Sequence, residues 1–159
     1  MSVISFVVVL LLLLSFSSFA FWFWRRKERK YKFAFLWIPF LLLLAFGATY
    51  IPHKVVSIDP SEVSKITVFD GNTGYDLEIT DVTDINHIIR NLNEVTFQKG
   101  KLSFGYMGFS FRTTIFDHNG KSMKEITINS DDTIRYKGFF YNSIDHSIEY
   151  DYIEQLVRK

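Results

Sequence analysis

Two long apolar stretches, separated by a short basic segment, occupy the first 52 residues of the chain. Residues 2–24 contain no charged side chain, and neither do residues 33–52. A helix of the first 23 uncharged residues is about 34 Å long, enough to cross a hydrocarbon core of about 30 Å. We therefore predict a transmembrane hairpin at 1–52, with helices at about 3–24 and 33–51 and a basic loop at 25–32.

Beyond the hairpin, the apolar positions first follow the two-residue period of β-strands. Most of residues 65–69 are β-branched or aromatic, and turn-forming residues follow at 70–74. Because residues 75–80 are typical of a returning strand, we predict a β-hairpin here. The spacing then changes to that of one helix face, with Ile85, Ile88, Ile89, Leu92 and Val95. Asp81 or Thr83 is available as the N-cap of this helix.

The rest of the chain predicts about four strands and a closing helix. Strand-like stretches separated by turn formers lie at 96–104, 109–115, 121–128 and 133–141. Residues 147–157 return to helical spacing. Because short turns join the strands, we predict an α+β domain at 53–159 with the order β-β-α-β-β-β-β-α and an antiparallel sheet that carries its helices on one face.

Basic residues are concentrated between the two apolar stretches. Six of them are opposed only by Glu28, and they are Arg25, Arg26, Lys27, Arg29, Lys30 and Lys32. Short loops rich in Lys and Arg remain in the cytoplasm. We therefore expect a two-pass protein of the cell membrane whose N-terminus and C-terminal domain are both outside the cytoplasm. The alternative, a signal peptide cleaved near Ala20, is disfavoured because no basic segment precedes the apolar run.

Composition excludes several classes of function. The net charge is +1 over 159 residues, but from Lys54 onward 12 basic residues face 16 acidic ones, which argues against nucleic-acid binding. Cysteine is absent, so disulfides, thiolate metal sites and a cysteine nucleophile are excluded. The four histidines lack metal-ligand spacing, and no catalytic or nucleotide-binding motif occurs. We expect no cofactor and no metal, and we identify no catalytic residue.

Aromatic residues of the second half form the candidate interaction surface. Alternate residues of a strand point to opposite faces, so one sheet face cannot bury every ring in residues 100–111 and 139–141. Exposed rings would form an apolar surface suited to a peptide, a lipid or another protein. The candidate residues are Tyr106, Met107, Phe139, Phe140 and Tyr141.

Three short motifs of the C-terminal half carry a family resemblance. They are residues 65–74, residues 78–81 before the isoleucine-rich helix, and residues 105–108. In these motifs the segment at about 60–158 resembles a group of uncharacterised extracytoplasmic domains of Gram-positive bacteria, carried on lipoproteins or membrane anchors. The resemblance implies a domain of unknown function outside the cytoplasm, and it transfers no activity and no catalytic residue.

Together these features predict a non-enzymatic binding or interaction module, of unknown ligand, anchored to the lipid bilayer. One alternative is a cell-envelope hydrolase or transferase whose site is assembled from Asp70, Asp76, His118 or Asp132. The other is an accessory subunit of a membrane complex, with another membrane or envelope protein as its partner. Convergent polar groups in a pocket would favour the enzyme, whereas scattered carboxylates and an exposed aromatic surface would favour binding.

Overall fold

A computed structural model describes residues 32–108 and 110–158, and the chain divides into two compact units, Met1–Thr49 and Tyr50–Lys159. The described part of the first unit is helix α1, Lys32–Ala48, which continues through Pro39 and ends where Thr49 donates to the Phe46 carbonyl. Among the described residues, no helix has both the length and the apolarity that a membrane span requires. The predicted helix at 3–24 and the basic residues from Arg25 to Lys30 lie outside the described residues.

The second unit begins its regular structure with the predicted β-hairpin. Strand β1 is Val63–Asp70 and strand β2 is Asp76–Ile79, and they pair antiparallel. The Asp70 carboxylate holds the turn, because it accepts hydrogen bonds from the Asn72 amide (2.8 Å) and the Thr73 hydroxyl (2.7 Å). These bonds, the Asn72 amide first, lower the pKa of Asp70. The hairpin prediction is confirmed.

Helix α2, Val82–Glu94, follows the predicted phase. Asp81 is its N-cap and accepts hydrogen bonds from the amides of Thr83 and Asp84. Its buried residues, Ile85, Ile88, Ile89 and Leu92, form the predicted stripe. The helix therefore has one apolar face, which packs into the core.

Five strands follow α2, where the sequence predicted about four. They are β3 (Phe97–Leu102), β4 (Phe111–Asp117), β5 (Ser122–Ile128), β6 (Thr133–Tyr136) and β7 (Phe139–Ser143). The predicted strand at 133–141 is in fact a hairpin, because Lys137 (φ 47°) and Gly138 (φ 80°) form a two-residue turn. A type I′ turn requires two consecutive positive φ angles. The turn was not predicted because Lys137 is not one of the residues, Asn, Asp or Gly, that usually occupy its first central position.

The sheet is antiparallel, with the order β2-β1-β4-β5-β6-β7-β3. Strands β2 and β3 are therefore its opposite edges although only α2 separates them in the chain, so α2 carries the chain from one edge to the other. At the β3 edge, His53 and Phe97 exchange two backbone hydrogen bonds. Strands β5 and β6 are in register at two pairs alone, Thr127↔Arg135 and Ile128↔Ile134.

One face of the sheet, here called the covered face, carries the hydrophobic core. Helix α2, the closing helix α3 (Tyr150–Val157) and the segment at 53–62 all contribute buried residues to it. Val55 and Val56 of this segment belong to the core. On the opposite face, here called the open face, every described strand residue is at least partly exposed. The α+β class with helices on one face is confirmed.

Candidate functional site

The open face contains a groove that lies under the loop joining β3 to β4. Its volume is about 710 Å³. The lining of this open-face groove is basic, aromatic and amide-rich, and consists of Lys101, Tyr106, Gly108, Asn129, Thr133, Arg135, Phe140 and Asn142. Strands β6 and β7 form its floor, and residues 106–108 of the loop form one wall.

Arg135 fastens that loop to the sheet. Its Nη1 donates to the Tyr106 carbonyl (2.8 Å), its Nε donates to Asn129 Oδ1 (3.1 Å), and its guanidinium carbon lies 5.0 Å from the centre of the Phe140 ring. Partial burial lowers the pKa of Arg135, but an arginine remains charged in a protein at ordinary pH. The groove therefore contains a cation whose orientation is fixed from two sides.

Lys101 supplies a second cation beside the same rings. Its Nζ lies 4.6 Å from the centre of the Tyr106 ring and 5.4 Å from that of Phe140. The two rings meet edge to face with their centres 5.2 Å apart. A cation near the face of an aromatic ring makes a favourable contact. In this geometry the charged groups of Lys101 and Arg135 both keep contact with solvent. Two cations and two aromatic rings thus form one cluster.

Neither cation of the cluster has an acidic partner in the part of the chain that the structure describes, where the ion pairs lie elsewhere. Two acidic residues lie in the same region: Glu125 on β5 lines a hollow with Arg135, and Asp132 is bonded to Thr133 of the groove lining. Asp132 accepts hydrogen bonds from the hydroxyls of Ser130 and Thr133, which lower its pKa. Both cations are therefore available to an anion from outside.

A row of side chains extends the cluster across the open face. The strand register places Phe69, Arg112, Thr127, Arg135 and Phe140 side by side on five consecutive strands. Each arginine lies over the ring at its own end of the row, at 5.9 Å for Arg112 and 5.0 Å for Arg135. Since neighbouring strands are about 4.8 Å apart, the Cα atoms of the two arginines are about 10 Å apart, and their side chains extend toward opposite ends of the row.

The predicted interaction residues divide between the two faces. Tyr106 and Phe140 lie together in the open-face groove, and Met107 is on the same loop with 90% of its surface exposed. Phe139 and Tyr141 point to the covered face, where Tyr141 is 7% exposed and Phe139 packs against the core. Strand alternation separates them from Phe140, so Phe139 and Tyr141 do not belong to this surface.

Of the four residues proposed for an assembled catalytic site, Asp70 and Asp76 share the β1–β2 hairpin, whereas His118 lies far from them. Asp70 is bound within its own turn, Asp76 is exposed on β2, and Asp132 is in the turn between β5 and β6. His118 lies at the other end of β4 from Asp70, about 20 Å away by the rise of the strand, and contacts the Ser61 carbonyl. Across the described residues, no three His, Asp or Glu side chains are grouped to hold a metal ion.

Sequence reasoning missed Arg135 and Lys101, although the phase of β6 could have identified the first. Residues 133–136 alternate, and a buried Ile134 requires that Arg135 point the other way. Lys101 could not be assigned in this manner, because the pairing of β3 with β7 is irregular between Lys99 and Leu102. An irregularity of this kind resets the alternation of side chains.

Comparison with protein-family models, with curated proteins and with solved structures finds no match for this chain. The resemblance of residues 60–158 to extracytoplasmic domains therefore depends on its three sequence motifs alone. Any function has to be inferred from the open-face groove and from the sequence.

Proposed function

We propose that the chain is a non-enzymatic binding module, anchored to the cell membrane by its N-terminal hairpin, that binds an anionic partner in the open-face groove outside the cytoplasm. The observation that carries the proposal is the cluster of Arg135 and Lys101, two cations held against two rings in a concave site. Charge-assisted hydrogen bonds make such a pair selective for carboxylates, phosphates or sulfates.

The chemistry of the lining supports binding rather than catalysis. Asn129, Asn142 and Thr133 add neutral donors and acceptors to the two cations. The Thr133 hydroxyl donates to the Asp132 carboxylate (2.7 Å), but hydrogen bonds from Ser130 and Thr133 lower the pKa of Asp132, so this carboxylate is a weak base for activating a nucleophile. The row across the sheet adds Arg112, two strands away from Arg135, so an extended chain with several negative charges would fit better than a single small ion.

Membrane anchoring is the second part of the proposal. It is supported by the two uncharged stretches and the six basic residues of the segment at 25–32. Alkaline phosphatase fused after Lys159 should be active, and the mature protein should retain residues 1–20. An inactive fusion would contradict the orientation, and a chain shortened by those residues would contradict the hairpin.

The groove can be tested by calorimetric titration of the full-length chain, in micelles of an uncharged detergent, with hexaglutamate. We expect saturable binding that weakens with added salt. Arg135→Gln and Lys101→Gln should each weaken binding roughly tenfold or more, because a hydrogen bond to a charged group is lost. Melting curves of both variants show whether the fold is retained.

Two controls make the titration specific. Lys121→Gln removes an exposed lysine from the β4–β5 turn and should leave the affinity unchanged. Hexaglutamine has the length of the probe without its charge and should not bind. Equal affinities for the wild type and both groove variants, with folds intact, would reject the open-face groove as the binding site.

A further inference from the structure

Large apolar side chains in and beside the loop between β3 and β4 are exposed to solvent rather than buried within the domain. Phe104 is 94% exposed and Met107 90%, and Leu102 just before them is 52% exposed. Tyr106 on the same loop differs, because its ring packs on Phe140. Scattered apolar residues are normal on a protein surface, but three within six positions, from the last residue of β3 into the loop, form a patch of the kind that marks a contact site.

The sequence around this loop contains no negative charge. Residues 95–116 and residues 133–144 lack Asp and Glu altogether. They contain five of the 12 basic residues found from Lys54 onward, namely Lys99, Lys101, Arg112, Arg135 and Lys137. The other seven are outnumbered by 16 acidic residues. A domain that is acidic as a whole thus concentrates positive charge in two segments.

The fold brings these two segments together. Strand β3 pairs with β7, and β7 pairs with β6, so Lys99, Lys101 and Lys137 share one corner of the sheet with the exposed loop. We call this corner, with Leu102, Phe104 and Met107, the basic edge. An acidic side chain, Glu125, lines the same hollow as Lys137. The basic edge therefore combines an apolar tip with surrounding lysines.

The start of the unit adds an interfacial residue to the same corner. Lys99 Nζ lies 5.2 Å from the centre of the ring of Tyr50, the first residue of the second unit. In the chain, Tyr50 comes two residues after Ala48, where the apolar helix α1 ends. A Tyr at the end of an apolar helix is typical of a membrane interface, and Lys99 of β3 lies beside this one.

We propose that the basic edge docks on the surface of a bilayer that carries anionic headgroups. Phe104 and Met107 enter the boundary between headgroups and acyl chains, and the lysines contact headgroup phosphates. This arrangement of apolar side chains among cations is that of proteins bound at a membrane interface, and it fits a bilayer better than a protein partner, whose surface would have to be both apolar and acidic. The inference rests on the membrane anchoring proposed above, and the basic edge shares Lys101 with the open-face groove.

The absence of cysteine from the chain permits a direct test. Met107→Cys and, as a matched control, Asn72→Cys in the turn between β1 and β2 can each be labelled with an environment-sensitive nitrobenzoxadiazole dye in the full-length protein. The labelled chains are then placed in lipid nanodiscs of phosphatidylglycerol or of phosphatidylcholine, with spin-labelled lipid as a quencher. The readout is the emission wavelength and the quenching of each dye.

In phosphatidylglycerol discs the dye at position 107 should shift to the blue and be quenched, while the dye at position 72 should report water. Phosphatidylcholine discs or high salt should reduce the docked population, since each lysine near an anionic surface changes the docking equilibrium roughly fivefold. Adding Phe104→Ser to the Met107→Cys chain should reduce that equilibrium roughly tenfold or more.

The outcomes separate this inference from the proposed function. If the chain elutes with the discs but the dye at 107 stays as exposed to water as the dye at 72, docking is rejected while anchoring stands. If the chain elutes with discs of neither lipid, anchoring is rejected and docking with it. Hexaglutamate binding in detergent is measured separately and tests only the groove.

Discussion

The covered and open faces of the sheet are made by the same seven strands, but they use alternate residues of those strands in different ways. On the covered face, Ile66, Ile115 and Ile134 are completely buried, and two helices pack over them. On the open face, Phe69 and Phe140 remain partly exposed, each beside an arginine. Burial therefore accounts for the covered face, whereas the rings of the open face are only partly covered by their neighbours and keep apolar surface in contact with solvent.

The largest difference in stability between the two faces is expected at two adjacent residues of β7. Tyr141→Ala should reduce the free energy of unfolding by about 3–5 kcal/mol, because it leaves a cavity on the covered face. Phe140→Ala, one position away on the open face, should cost only about 1 kcal/mol. Urea unfolding of the full-length chain in detergent, followed by near-ultraviolet circular dichroism, measures both values. Equal losses would mean that the two faces are not energetically different.

Helix α2 offers the same comparison with a smaller effect. Leu92 is completely buried and Ile88 nearly so, and truncation of either to Ala should cost about 2–5 kcal/mol. His87→Ala should cost less than about 1 kcal/mol, because His87 forms only an exposed pair with Glu149 and a ring contact with Tyr152. Thermal melts of the three variants test this ranking. A variant of His87 less stable than that of Leu92 would show that the assigned helix face is wrong.

The smallest effect should have the opposite sign. Thr113 lies on the covered face, and its hydroxyl is buried with no hydrogen-bond partner among the described residues. Thr113→Val keeps the shape and removes the unsatisfied group, so we expect a gain of about 1 kcal/mol in the free energy of unfolding. Thr114→Val on the open face should change stability by less than about 0.5 kcal/mol. Loss of stability in Thr113→Val would indicate a partner for that hydroxyl.

Local patterns in the sequence predicted those elements that local interactions determine. Helix α2 and its Asp81 cap follow from a period and a capping residue, and the hairpin of β1 and β2 follows from turn formers between alternating strands. The pairing of β3 with β7 could not be predicted in this way, because about 40 residues of chain separate the partners and no local signal encodes which edge β3 will join.

The candidate site was only partly predictable for a related reason. The aromatic run at 139–141 has three rings in succession, so its alternation fits either phase, and only the turn at Lys137 and Gly138 determines which ring faces the core. Val55 and Val56 were missed because the short apolar run at 55–58 lies between Pro52 and Pro60 and lacks any clear period. Arg135 belongs to no sequence motif, and its role in the groove depends on the Tyr106 loop and the Phe140 ring, which become its neighbours only in the folded domain.

The narrow joint between β5 and β6 has a mechanical consequence. Two registered pairs connect the block β2-β1-β4-β5 to the block β6-β7-β3, the fewest between neighbouring strands of the described sheet, and we expect the sheet to twist most easily at this joint. The hydrogen bond from Arg135 to Asn129 crosses this joint at the floor of the groove. A ligand that contacts both blocks of strands would hold them in one relative orientation. Slower amide hydrogen exchange at Thr127 and Ile128 would report the loss of motion.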